Sequence, residues 1–187
     1  IHAGAVNEVK VKLHYINSER LTIDNVSEQL SKMSAVMVAP GFGNRGIEGK
    51  LVAVRYAREN NVPFFGICLG MQCAVIEFAR NVIGWNDANS SEMVQTKHAV
   101  IDLMEEQKGI TAKGGTMRLG GYPCQLAAGS RVAEAYGSKS IVERHRHRYE
   151  FNNTFLADFE AAGMKAVGQN PDTGLVEVVE IPTHRWF

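Results

Sequence analysis

The sequence predicts an α/β fold: an open, mostly parallel sheet with helices on both faces and additional antiparallel strands in its second half. Three observations carry this reading. Short apolar runs alternate with amphipathic stretches through the first half in the order β-α-β-α-β-α, which favours parallel strands joined by right-handed helical crossovers. The second half is strand-rich, with one clear helix. The 187 residues are 45% apolar and 21% charged, an ordinary globular composition in a chain long enough to bury a core without disulfides or metals.

The elements follow in order. Residues 9–16 (VKVKLHYI) alternate with period two through Val9, Val11 and Leu13 and read as a strand. Asp24 or Asn25 can cap a short helix running to about Met33. Residues 34–39 (SAVMVA) form the short apolar run of a buried parallel strand. It ends in a loop, Pro40-Gly41-Phe42-Gly43-Asn44-Arg45-Gly46. A helix over 48–60 stops ahead of Pro63. Residues 63–68 (PFFGIC) are again apolar and β-prone. Gly70 opens a helix with Met71, Ala74, Val75, Phe78 and Val82 along one stripe. Beyond it, 99–104, 117–126, 140–149, 164–168 and 175–181 are strand candidates, 153–162 is the clear helix and 130–136 a short one. Residues 105–115 (EEQKGITAKGG) are polar and glycine-containing, so a mobile loop is expected. No repeat or linker divides the chain. The expected architecture is a three-layer, flavodoxin-like open sheet in one domain.

Composition narrows the function. Twenty Lys and Arg balance twenty Asp and Glu, so the basic excess of a nucleic-acid binder is missing. No apolar run approaches the length of a membrane span, and no secretory leader opens the sequence. Three cysteines, Cys68, Cys73 and Cys124, with no CxxC pair, argue against a disulfide framework or a zinc site. A reducing, cytoplasmic setting is expected, with no nucleic-acid or membrane partner.

Gly66-Ile67-Cys68-Leu69-Gly70 is the sharpest feature. It lies between an expected strand and an expected helix. A nucleophile on such a turn has a strained backbone and needs small neighbours, which glycines at −2 and +2 supply. The helix N-terminus favours thiolate over thiol, and the N–H of Leu69 would point at an oxyanion forming beside the sulfur. The N–H of Gly41, in the loop ending the neighbouring strand, is the second candidate donor. The bland alternatives are a small buried hydrophobe and a plain turn. Cys73 and Cys124 lack such a setting and read as packing residues. His145 and His147 alternate with Arg144, Arg146 and Arg148, so the histidines share one strand face and the arginines the other. An H-x-H pair can bind metal, but no third ligand is suggested, and a structural or solvated role is the simpler reading. His2, His14, His98 and His184 are isolated and receive no role.

These residues also carry a family resemblance. GICLGMQ around Cys68 resembles the elbow of the class I, triad-type glutamine amidotransferases. GFGNRGIEGK, ARENNVPFFGICLGMQ, Asp87-Ala88-Asn89-Ser90-Ser91-Glu92 (the family's NANSSE with one change), GGTMRLG and IVERHRHRYEFNN resemble one branch, the glutaminase domains of CTP synthases. The last two motifs separate that branch from other amidotransferases. The resemblance implies that Cys68 attacks the glutamine carboxamide while Gly41 and Leu69 donate to the oxyanion. It implies that Phe42 lines the pocket, that Gln72 and Glu92 hold the α-carbon end of glutamine, with Glu92 facing the ammonium, and that Arg148 faces the carboxylate. Without it, Glu92 and Arg148 read as solvated charges.

The resemblance further implies ammonia supply for ATP- and magnesium-dependent amination of UTP by a synthase domain of the same chain. It implies GTP as an allosteric activator, a homotetramer, and no cofactor in this domain. Two departures stand out. The family's PGGFG is here Ala39-Pro40-Gly41-Phe42-Gly43; Pro40 lacks an N–H, but the Gly41 donor is retained. The family's catalytic His and Glu lie in an HPE-like motif, and no HPE triplet occurs in these residues. The expectation is a fragment without its first strand, its HPE segment or the preceding amidoligase domain, with little activity by itself. The alternatives are a non-catalytic glutaminase-like binding module, a hydrolase of other γ-glutamyl compounds, or another class I amidotransferase.

Overall fold

The computed structural model describes residues 2–103 and 117–187. The loop expected over 105–115, and the first three residues of GGTMRLG, lie outside the described residues. The helices are α1 (His2–Val6), α2 (Val26–Leu30), α3 (Ile47–Glu59), α4 (Leu69–Phe78), α5 (Arg131–Tyr136) and α6 (Leu156–Ala162). The strands are β1 (Val36–Val38), β2 (Phe64–Gly66), β3 (Asn89–Ser90), β4 (Ala99–Leu103), β5 (Arg118–Leu126), β6 (Ser140–His147), β7 (Tyr149–Phe151), β8 (Lys165–Gln169) and β9 (Val176–Glu180).

The α/β class is as the sequence predicts, but the pairing is mixed. Strands β1 and β2 are parallel, joined through α3, with Val36 opposite Phe64. Strands β3 and β4 are also parallel. The β4–β7, β5–β6, β5–β8 and β8–β9 ladders are antiparallel. The described strands form three hydrogen-bonded groups, β1-β2, β3-β4-β7 and β6-β5-β8-β9. The second half contributes more pairing than its strand count suggested, because β5 and β6 match residue for residue from Arg118–His147 to Gln125–Ser140. Pro123 is tolerated inside β5 because β8 joins that strand only at Gln125 and Leu126, leaving one edge open at the proline.

Three sequence expectations need correction. Residues 9–16 form no strand: they find no ladder partner among the described residues, and Val9, Val11, Leu13 and Tyr15 are exposed. Alternation alone makes no strand without a sheet to join. Asn25 precedes α2 but makes no side-chain cap; its amide accepts from Thr22 N and donates to Arg20 O. The expected strand over 140–149 breaks at Arg148, where the chain leaves the β5 partner and joins β4 as β7.

Helix α4 is the hub. Rather than showing one apolar stripe, it is buried on every side except at Met71, with Cys73, Val75 and Ile76 fully enclosed. Each such aliphatic side chain contributes about 1.5–3 kcal/mol. Val82, expected on its stripe, falls in a wider turn over Ala79–Ile83 and is exposed. Around α4, one core runs from Leu30 and Val36 through Val54 and Phe64 to Ile101, Phe159 and Val176. A buried ion pair joins α3 to α4: Arg58 Nε and Nη2 donate to Glu77 at 2.8 and 2.7 Å, and Glu77 has no exposed surface. The hub is what holds the first residue of α4, and the cysteine before it, in place.

Candidate functional site

Cys68 immediately precedes α4 with φ 55° and ψ −106°. A non-glycine residue rarely adopts this backbone, and the strain persists only where the surroundings over-determine it. The flanking glycines show how. A Cβ on Gly66 would lie 2.6 Å from the Gly70 carbonyl carbon, and one on Gly70 would lie 2.2 Å from Val38 O. The strand and helix approach too closely for any side chain at −2 or +2. Ile67 N donates to Val38 O, and Gln72 N to Cys68 O, clamping the turn at both ends. The elbow is therefore a consequence of backbone packing between β1, β2 and α4.

The thiol is half-buried, and the backbone N–H groups of Leu69 and Gly41 lie near enough to draw its pKa down. These are the two donors the sequence singled out. Burial nevertheless pushes the Cys68 pKa up, the Glu150 and Glu92 charges push it further, and the two N–H bonds only partly oppose this. The expectation that the helix terminus would leave a ready thiolate is thus corrected: desolvation outweighs the donors. Two converging N–H groups beside a protonated sulfur are suited to stabilising an oxyanion on a carbon bonded to that sulfur, provided a base removes the proton.

The loop carrying Gly41 is tied down from another element. Glu92 Oε1 accepts from Gly43 N at 3.3 Å, and Glu92 N bonds Ser90 Oγ at 3.2 Å. Ser91 Oγ donates to Asp102 on β4. The Glu92 carboxylate is half-buried and also acts, after burial itself, to push the Tyr149 hydroxyl up. Gln72, on the second turn of α4, donates through Nε2 to Tyr149 O at 3.2 Å. Arg148 sits half-buried at the bend between β6 and β7, and its charge also reaches Tyr149. It does not share a strand face with Arg144 and Arg146 as the alternation suggested.

The structure thus brings together Cys68, Gly41 and Leu69 directly, Glu92 through Gly43, and Gln72 and Arg148 through Tyr149. Phe42 stands apart at the loop, 90% exposed. Tyr149 is the residue that sequence reasoning missed; its position between Arg148 and the buried Glu150 was the available signal. Cys73 and Cys124 are enclosed, with their thiols pushed up to about 12 chiefly by burial. His184 is buried, bonding Ala57 O at 3.0 Å and accepting from Trp186 N. His98 stacks on Trp85 and pairs with Asp87 at 2.6 Å. His2 and His14 are exposed. Among the described residues, no group of three or more His, Cys, Asp or Glu is placed to hold a metal ion.

Comparison with known proteins supplies a second line. The family model described as glutamine amidotransferase class-I matches residues 1–187. A CTP synthase of Cytophaga hutchinsonii is 61% identical over 188 residues, covering 100% of this chain and 35% of the relative. One from Bacteroides fragilis is 62% identical over 186 residues, covering 99% of this chain and 35% of the relative. The chain thus spans about a third of the length of these relatives. A solved structure, the Trypanosoma brucei CTPS glutaminase domain with bound acivicin, superposes with a TM-score of 0.93 at 38% identity. That match covers all of this chain and 74% of the other.

Proposed function

Since the chain belongs to the class I glutamine amidotransferases, we propose that it is the glutamine-hydrolysing part of a CTP synthase, with Cys68 as its nucleophile. The observation that carries this reading is the pair of N–H groups, from Gly41 and Leu69, aimed at a cysteine on a strained elbow. The Cys68 sulfur attacks the carboxamide carbon of glutamine, and the C–N bond breaks to leave a γ-glutamyl thioester and ammonia. Water then releases glutamate. As the tetrahedral oxyanion forms, the two N–H groups donate to it, each contributing about 3–4 kcal/mol.

The pocket roles are those the family resemblance implies. Glu92 faces the α-ammonium, Arg148 the α-carboxylate, and Gln72 the polar end between them, with Phe42 lining the pocket. Because the thiol is held above its ordinary value, turnover requires a base to accept its proton and return it to ammonia. The 187 residues contain no His-Pro-Glu triplet, so a polypeptide of this sequence alone captures glutamine analogues but turns over glutamine poorly. In the full-length protein, this reading sends ammonia to a synthase domain of the same chain. That domain aminates UTP with ATP and magnesium, responds to GTP and works within a cytoplasmic tetramer. Support for the longer protein is the 35% share of the relatives that this chain spans.

The test is covalent labelling. Incubation with acivicin, the ligand named for the Trypanosoma brucei structure, followed by peptide mass spectrometry, should place the adduct on Cys68, with glutamine protecting it. Labelling of Cys73 or Cys124 with Cys68 unmodified would defeat the assignment.

A further inference from the structure

The loop that presents the Gly41 N–H has little of its own to hold it. Pro40 offers no N–H, the Phe42 side chain is exposed, and Gly41 and Gly43 carry no side chains. Gly43 stands at φ 71°, where glycine alone rests without strain. Gly41 lies against Leu69, whose side chain a Cβ there would approach to 3.0 Å. Apart from that contact with the elbow, one hydrogen bond among the described residues ties 41–43 to a distant element. Gly43 N donates to Glu92 Oε1 at 3.3 Å.

The Glu92 end of this bond is fixed. Ser90 is fully enclosed; its Oγ accepts from Glu92 N at 3.2 Å, and its carbonyl accepts from Met93 N at 3.0 Å and Val94 N at 3.1 Å. Ser91 N donates to Ile101 O at 2.9 Å and Ser91 Oγ to Asp102, both on β4. The turn after β3 is therefore pinned to the core on either side of Glu92. A soft segment bonded to a rigid one takes its position from the rigid one. The carboxylate also has an oxygen to spare: Oε1 is committed to Gly43, while Oε2 bonds no group among the described residues, and the side chain is half-buried rather than enclosed.

We propose that Glu92 is a positioning residue for the oxyanion donor: Oε1 moors Gly43 to the turn after β3 and so holds the Gly41 N–H beside Cys68, leaving Oε2 for the α-ammonium of glutamine. One side chain then serves both the recognition of the ligand and the placement of the donor. The kinetic consequence rests on the glutaminase reading, but the mooring itself needs no glutamine. A wild type that does not turn over glutamine defeats that reading; loop amides that exchange without regard to Glu92 defeat this one.

The experiment compares the full-length wild type with Glu92→Gln and Glu92→Ala. Glutamine at this position keeps an oxygen that accepts from Gly43 and loses the charge; alanine loses both. Without ligand, deuterium uptake by the peptide carrying residues 41–46, read by mass spectrometry, should be about threefold or more faster in Glu92→Ala and close to wild type in Glu92→Gln. In glutamine hydrolysis both variants should raise KM, and Glu92→Ala should also lose about tenfold or more in kcat relative to Glu92→Gln, as a misplaced oxyanion donor requires. A residue that only bound the ammonium would leave the two variants with the same kcat. Wild-type uptake in Glu92→Ala, or equal kcat in the two variants, overturns the proposal. Should Glu92→Ala fail to fold, Glu92→Asp keeps the charge but is one methylene shorter than the reach to Gly43; it should show faster uptake and lower kcat, and a wild-type value of either overturns the proposal equally.

Discussion

Replacing Cys68 by glycine should make the protein more stable than replacing it by alanine. Both changes remove the sulfur equally. Alanine keeps a Cβ at φ 55° and ψ −106°, while glycine adopts that backbone freely. Strain of this kind is worth about 1–3 kcal/mol. Against it stands the extra freedom glycine gives the unfolded chain, about 0.5–1 kcal/mol. The difference favours glycine by about 1 kcal/mol. With a urea slope of about 2 kcal/mol/M, the midpoint should be about 0.5 M higher for Cys68→Gly than for Cys68→Ala, at equal slopes. If glycine were instead the less stable by about 0.5–1 kcal/mol, unfolded-state entropy alone would account for the pair. The elbow would then carry no strain, and the argument that packing forces the cysteine into place would fail.

Three further outcomes follow from the same packing. Gly70→Ala sets a Cβ 2.2 Å from Val38 O, a backbone atom that cannot swing aside; the variant should lose about 1–3 kcal/mol by urea unfolding, while Gly41→Ala, facing only the Leu69 side chain, should lose less. Arg58→Met strands the fully enclosed Glu77 and should destabilise by about 3–5 kcal/mol, with Glu77→Met in the same chain recovering much of the loss in thermal unfolding. The Asp87 carboxyl, held at about 2 chiefly by its bond to His98, is depressed in the folded state, so its contribution is complete above the unfolded value near 4 and fades as pH falls toward 2; the gap in urea midpoint between wild type and Asp87→Asn should therefore narrow over that window, and a constant gap would contradict the pairing.

What the sequence reveals about this site is what a few consecutive residues decide. The elbow was legible because its glycines, its cysteine and the helix that follows are neighbours in the chain, and the clash distances at Gly66 and Gly70 show local packing fixing it. The Gly41 loop was legible for the same reason. Whatever depends on distant partners was not. Residues 9–16 alternate like a strand, yet alternation says nothing about whether a sheet edge is available. The break at Arg148 is set by β4 competing with β5 for the chain, a contest between segments some fifty and thirty residues away in sequence. Charge shows the limit most clearly. Glu92 read as solvated and in fact reaches the loop at Gly43; Arg58 and Glu77 sit on separate helices with nothing local to mark them as a pair. The alternation of His145 and His147 correctly set both rings on one face, and left a structural, solvated or metal role open. What surrounds them, Glu150, Glu177 and Arg118, arrives from three other strands. Each of these contacts depends on burial, and burial is a property of the whole packed chain. A thiol held above its ordinary pKa is then intelligible: the enclosure that fixes the elbow also withholds the charge.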